Sequence, residues 1–419
     1  MRSARLSRRI RENLEGYAFI APAVALIALF SIFPIFFTGY ISLFRWRIRR
    51  GDFVGLSNYL VAFGTWGNLA LLAAGLALVY LALRLLRAGR ERARASFGQS
   101  GAARTGRLPH SGARSAALTA GAGALAGGIA LAILALAGVM RTGDPDLLTS
   151  LRVTVWYSLG TVPVQLSLGL GLALLLNRKF RGRQTYRVLF LIPYIVPTVA
   201  AAAVFERIFS LRPEALANQI VALFGLRPLQ WLYEPRGLFQ LLFGFEAHMS
   251  AGALAVGSSG GGIIPSVLDY LRSWAVGPSL ALVAVALFNW WVFVGYYALI
   301  FLNGLSQIPK QVYDAAEVDG AGRLLVLRKI ILPLISPSTY FLTLIGVIGT
   351  FKAFNHVYIL RTAAAQGTVD PMSIYLFFTF FREARFGYAS AVAVLLFLIV
   401  LGLTLLQRRL MERRVFFGE

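Results

Sequence analysis

The sequence contains no cysteine, which removes structural disulfides, thiolate metal sites and cysteine nucleophiles together. Histidine is nearly absent, at 3 residues in 419, and 18 Asp and Glu stand against 41 Lys and Arg. Glu246 and His248 lie close together, but no third ligand accompanies them and no metal site is expected. No Gly-x-x-x-x-Gly-Lys-Ser/Thr loop occurs, nor any Gly-Lys pair, so this chain has no P-loop with which to hold ATP. The clustered carboxylates or histidines that a membrane-embedded enzyme would need are missing as well.

What is abundant is apolar surface. Hydrophobic residues make up 58% of the chain, and mean hydropathy is +0.69; soluble chains sit nearer about 45–50% apolar. The excess falls in blocks of about 20 residues, the length a helix needs to cross hydrocarbon. Eight spans are predicted, at 17–41, 67–87, 116–140, 151–177, 185–209, 278–302, 334–354 and 386–407. The first follows Arg2, Arg5, Arg8, Arg9 and Arg11, yet its apolar run is too long for a signal peptide and closes on no cleavage site. It reads as a retained helix. The net charge of +23 suits loop residues that set topology and meet anionic lipid, and no basic helix or aromatic-basic module points to nucleic acid.

Charge also predicts orientation. With the N-terminus inside, the inner segments carry 26 Lys and Arg in 100 residues and the outer segments 15 in 142. Both termini then lie in the cytoplasm, in agreement with Arg408, Arg409, Arg413 and Arg414 after the last span.

The expected fold is an all-α integral membrane protein with three parts. Residues 1–66 hold the tail, first span and an outside loop. Residues 67–140 form an extra hairpin with a basic, flexible connector at 88–114. Residues 141–419 form the core, with an outside insert at 210–277 and a cytoplasmic loop at 303–333. Within the insert, 237–264 is apolar enough for a short interfacial helix. Pro22, Pro34, Pro163, Pro193 and Pro197 fall inside spans, where they pack or bend helices.

The loop between the sixth and seventh spans carries the functional inference. Pro309 can open a helix, and Asp314, Ala315, Ala316 and Glu317 suit a helix start. Gly320 and Gly322 break it, Leu324, Leu325, Leu327, Ile330 and Ile331 continue an apolar face, and Pro333 opens the next span. Helix, glycine turn and helix make a small knob that another protein can approach closely.

Asp314-Ala315-Ala316, Gly320, Ile330 and Leu332-Pro333 resemble the "EAA" signature of ABC importer permeases, with Asp314 where Glu is usual. From Leu151 to Arg414 the chain resembles the carbohydrate-uptake branch, similar to the larger subunit of maltose-type importers. The pieces that carry this are Arg187 to Pro197, Phe354 to Tyr358, and Gly387 to Ala391, with Ala21-Pro22 and Phe33-Pro34 near the N-terminus. The resemblance implies a type I permease core working by alternating access. It implies two ATP-binding subunits that use ATP and magnesium, a second homologous permease, an extracytoplasmic solute-binding protein, and residence in the bacterial inner membrane. The loop would dock to the ATPase, and this chain would bind no cofactor and catalyse no reaction.

A solute path calls for amides and aromatic rings facing the bundle interior. Asn289, Trp290, Gly295, Tyr296 and Tyr297 in the sixth span, and Phe351, Phe354 and Asn355 at the end of the seventh, are the candidates; the resemblance favours Gly295, Tyr296, Phe354 and Asn355. Lys352 and His356 read as interfacial decoration. No Arg lies mid-span, which favours a neutral sugar over a phosphorylated one. The alternative is an ATP-independent secondary transporter or channel, in which the knob has no purpose; a scaffold without a path is a further one.

Overall fold

The apolar runs fold as helices, because backbone in hydrocarbon must satisfy its own N–H and C=O groups. The computed structural model describes residues 2–99, 111–244 and 263–411. Glu246, His248, Gly260 to Gly262, Arg413, Arg414, most of 237–264 and the middle of the 88–114 connector lie outside the described residues.

In chain order, α1 (Arg2–Ile27) passes through a π turn into α2 (Phe33–Ile41). A hairpin of β1 (Phe44–Trp46) and β2 (Arg50–Phe53) precedes α3 (Ser57–Phe63). Next come α4 (Trp66–Gln99), α5 (Ser111–Thr142) and α6 (Pro145–Leu176). Then follow α7 (Arg183–Ile195), α8 (Thr198–Ile208), α9 (Leu216–Leu223), α10 (Leu238–Phe243), α11 (Ile263–Ala275) and α12 (Leu280–Ser306). The chain continues through α13 (Lys310–Val318), α14 (Arg323–Val326), α15 (Leu332–Leu334), α16 (Ser336–Phe351) and α17 (Asn355–Leu360). It ends with α18 (Met372–Phe381) and α19 (Phe386–Met411).

Among the described residues six helices are long and apolar enough to cross a membrane, and up to eight spans result if each of two bent pairs counts as one. All eight predicted runs are there. Two of them are broken. The pair α7 and α8 bends by 92° at Val196-Pro197, where Pro197 lacks the N–H that would continue α7. The stretch Arg323–Leu334 bends by 68° into α16 at Ile335. Pro333 therefore sits inside the first arm, and Ser336-Pro337 opens the second. The predicted connector is also shorter than expected: α4 runs to Gln99 and α5 starts at Ser111, because the Arg- and Ala-rich flanks favour helix.

The chain divides into two compact units. The first comprises 1–59 and 376–399. Here the β-hairpin is tied down by Asn58, whose side-chain amide donates to Ser42 O (2.8 Å) and Phe44 O (3.0 Å). The second comprises 60–375 and 400–419. Asp144 caps α6 by accepting from the N–H groups of Asp146 and Leu147, and Ser279 caps α12 by accepting from Leu282 N–H. A bidentate ion pair, Arg361 to Asp370 at 2.6 and 3.0 Å, closes the loop between α17 and α18. At one end of α6 and α12, Leu176, Tyr297, Phe301, Leu302 and Leu305 form a buried apolar cluster with Ile331, Ile335 and Leu342.

Candidate functional site

Two sites are built on the second unit. One is the knob after α12. Pro309 precedes α13, and Gly320 ends it with φ +68°, a region closed to most L residues. Gly320 N–H donates to Glu317 O (3.0 Å) and Ala321 N–H to Ala316 O (2.9 Å), the paired bonds of a Schellman cap. Asp314 to Glu317 thus occupy the later half of α13 rather than its start. Asp314 lies 3.8 Å from Lys310 one turn back, an exposed pair of small energetic consequence. Ala315 is exposed and Ala316 buried under the cap.

Beyond Gly320 the knob shows an open groove of about 600 Å³ with Ala315, Ala316, Ala321, Leu325 and Ile330 on its walls. Val318 is 88% exposed, Leu324 59% and Leu325 51%, while Leu332 and Pro333 are exposed nearby. Such apolar groups on an exposed loop fit contact with protein better than with water. The root of the knob is anchored: Ile331 and Ile335 join the buried cluster on α6 and α12, and Val312, Tyr313, Val326 and Leu327 pack against it. Burial pushes the Tyr313 phenol above its ordinary pKa. A force on α13 therefore has a packed route into two long helices.

The other site is a buried polar cluster where α6, α12 and α17 meet. Gln165 donates its side-chain amide to both the side-chain and backbone oxygens of Asn289. Asn289 Nδ2 lies 3.4 Å from His356 Nε2, and the Tyr157 hydroxyl lies 2.6 Å from the same nitrogen. All four residues are buried. His356 is therefore not interfacial decoration; it stacks on Phe288 and joins three helices. Sequence reasoning missed Gln165 and Tyr157. A lone Gln within the apolar run of α6 is the signal that points to one of them.

The remaining candidates take different places. Trp290 donates to Gly160 O at 3.0 Å. A Cβ on Gly295 would sit 1.8 Å from Phe190 O, so this glycine is what lets α7 approach α12. Tyr296 is half-buried and stacks on Tyr194 of the broken α7, with centroids 4.6 Å apart. Tyr297 turns the other way, buried, with its hydroxyl donating to Leu342 O at 3.3 Å, so it packs α12 against α16. Phe351 is buried; Phe354 is half-buried and stacks on Tyr358, and Asn355 is exposed at the start of α17. Asn289 thus belongs to the buried cluster, Tyr296 to the surface facing α7, and Phe354 and Asn355 to the rim near α17. Among the described residues no group of His, Asp and Glu could hold a metal ion.

A family model described as "Binding-protein-dependent transport system inner membrane component" matches residues 165–416. The chain is 26% identical over 253 residues to the trehalose/maltose transport system permease protein MalF of Thermococcus litoralis, covering 60% of this chain and 70% of that protein. It is 31% identical over 270 residues to the probable ABC transporter permease protein YesP of Bacillus subtilis, covering 64% and 73%. Among solved structures, a bacterial ABC transporter involved in the import of the acidic polysaccharide alginate matches with a TM-score of 0.55 at 16% identity, over 98% of this chain and 99% of that one. At that identity the likeness concerns the fold.

Proposed function

Because the chain belongs to the binding-protein-dependent transport system inner membrane components, and is the permease component of a sugar ABC importer, we propose that it moves a di- or oligosaccharide inward by alternating access, driven by ATP hydrolysed on separate subunits. Those subunits dock on the knob from Lys310 to Pro333, with Asp314, Ala315, Ala316, Gly320, Ile330, Leu332 and Pro333 as its contact and shaping residues. A second homologous permease and an extracytoplasmic binding protein complete the assembly. Both termini lie in the cytoplasm of a bacterial cell, and ATP and magnesium belong to the partners.

The observation that carries this reading is the knob itself: capped, apolar at its tip, and rooted among buried residues of α6 and α12. Closure of the ATPase pair moves α13 as a rigid body, and the packed root passes that motion to α6 and α12. The breaks at Val196-Pro197 and at Ile335 supply hinges where the bundle bends without losing helix elsewhere. Solute passes along α12, where Asn289, Gly295, Tyr296 and Tyr297 lie on or behind the path, and leaves past Phe354 and Asn355.

Docking is tested by Gly320→Val. A β-branched residue at φ +68° costs roughly 1–2 kcal/mol or more and opens the cap that shapes the tip. ATPase recovered with the affinity-purified permease is expected to fall at least about tenfold, with the amount of permease in the membrane unchanged. Full recovery of the ATPase with this variant would remove the knob as its docking site.

A further inference from the structure

A cavity of about 250 Å³ lies at the N-terminal ends of α6 and α12, lined among others by Arg152, Trp156, Arg236, Gln240, Ser273 and Thr368. Arg152 and Trp156 precede residues 165–416, so the family match does not account for them. The two arginines differ in state. Arg236 is neutralised by Glu234, which accepts at 2.8 and 2.7 Å and is itself buried. Arg152 is half-buried, and no carboxylate among the described residues pairs with it. Trp156 lines the same cavity, and its indole N–H is buried without an acceptor.

The Trp156 N–H is a buried donor that costs free energy unless an occupant brings an acceptor, and Arg152, with Tyr270 beside it and no carboxylate among the described residues, adds a positive charge that favours an anionic one. The wall behind them is aromatic: Trp156 packs on Phe239 and on Trp274, each with centroids 6.0 Å apart. Such a wall suits the C–H face of a sugar ring, and Gln240, Ser273 and Thr368 offer hydroxyl or amide partners. The volume falls short of the roughly 300 Å³ at which drug-sized pockets begin, so it takes one ring.

We propose that this cavity is an entry subsite that binds one carboxylated pyranose ring of the solute, with the carboxylate on Arg152 and the ring against Trp156. The proposal rests on the reading of the chain as a saccharide permease and replaces the neutral sugar expected from the sequence by one that carries an acid, because Arg152, at the edge of its span and not in the middle, lines the cavity. Arg152 selects the charge at the mouth of α6, and the Asn289 cluster deeper in the bundle meets the hydroxyls.

The full chain in lipid nanodiscs is titrated with D-glucuronate, D-glucose and N-acetylglutamate amide, with tryptophan fluorescence and calorimetry as readouts. D-Glucuronate is expected to saturate and to bind at least about tenfold more tightly than D-glucose, the margin a charge-assisted pair provides. Arg152→Gln is expected to remove that preference and leave D-glucose binding where it was. Trp156→Phe weakens both sugars several-fold. Equal affinity for the two sugars, or no D-glucuronate binding, overturns the proposal from the unmutated chain alone, whether or not a variant folds. Retained preference in Arg152→Gln also overturns it. Equal binding of N-acetylglutamate amide would assign the cavity to a protein carboxylate and overturn the sugar subsite. No ATPase takes part, so a negative result here leaves the importer reading to its own docking test.

Discussion

Gly295→Ala is expected to abolish solute accumulation, although it adds one methyl group. The new Cβ would stand 1.8 Å from the backbone oxygen of Phe190, and no rotamer change can move a backbone carbonyl aside. Helices α7 and α12 must then separate. Overpacking of this kind costs about 1–3 kcal/mol even where neighbours yield. Here the displaced element is the broken pair α7 and α8, whose 92° bend makes it a moving part in the proposed cycle. Separation also pulls Tyr194 off Tyr296, the stacked pair next to the glycine. As a control, Gly171→Ala in α6 meets no atom within 4 Å and is expected to leave uptake unchanged. Uptake of labelled solute in cells expressing each variant at equal level measures both.

Asn289→Leu is the second large effect. It keeps the branching of the side chain and removes the amide that Gln165 and His356 share. Gln165 keeps the backbone oxygen at position 289 and His356 keeps the Tyr157 hydroxyl, so each neighbour loses one of its bonds, and a buried hydrogen bond is worth about 0.5–1.5 kcal/mol. Uptake is expected to fall at least about tenfold, while the ATPase still co-purifies because the knob is untouched. The double variant with Gln165→Leu should be less damaging than the sum of the two singles, since the partners disappear together. Strict additivity would show that the pair does not act as a unit.

How much of this was legible follows from what each feature depends on. The spans are legible because hydrocarbon thickness fixes a length and excludes charge, both of which sequence displays. The knob is legible because a helix stop of this kind needs glycine at one position, and Gly320 stands there. The bends are only half legible. Pro197 marks a break, but the 92° angle is set by the packing of α7 on α12, which no local pattern contains. Pro333 misleads because Ser336-Pro337 follows closely and offers a second helix start. The polar cluster joins Tyr157, Gln165, Asn289 and His356 across three helices far apart in sequence. Side-chain type alone reads His356 as a surface residue and treats Tyr296 and Tyr297 alike. Tertiary packing buries the histidine and separates the tyrosines, one toward α7 and the other toward α16.

The central claim is that ATP hydrolysis on a partner, passed through the Lys310 to Pro333 knob, powers inward movement of solute. Its most direct test is accumulation of labelled saccharide by proteoliposomes that hold the purified permease complex with its binding protein. Accumulation is predicted to require ATP on the ATPase side, to be indifferent to dissipated ion gradients, and to fail in Gly320→Val. Accumulation without ATP, driven by an ion gradient and preserved in Gly320→Val, would contradict it and identify a secondary transporter.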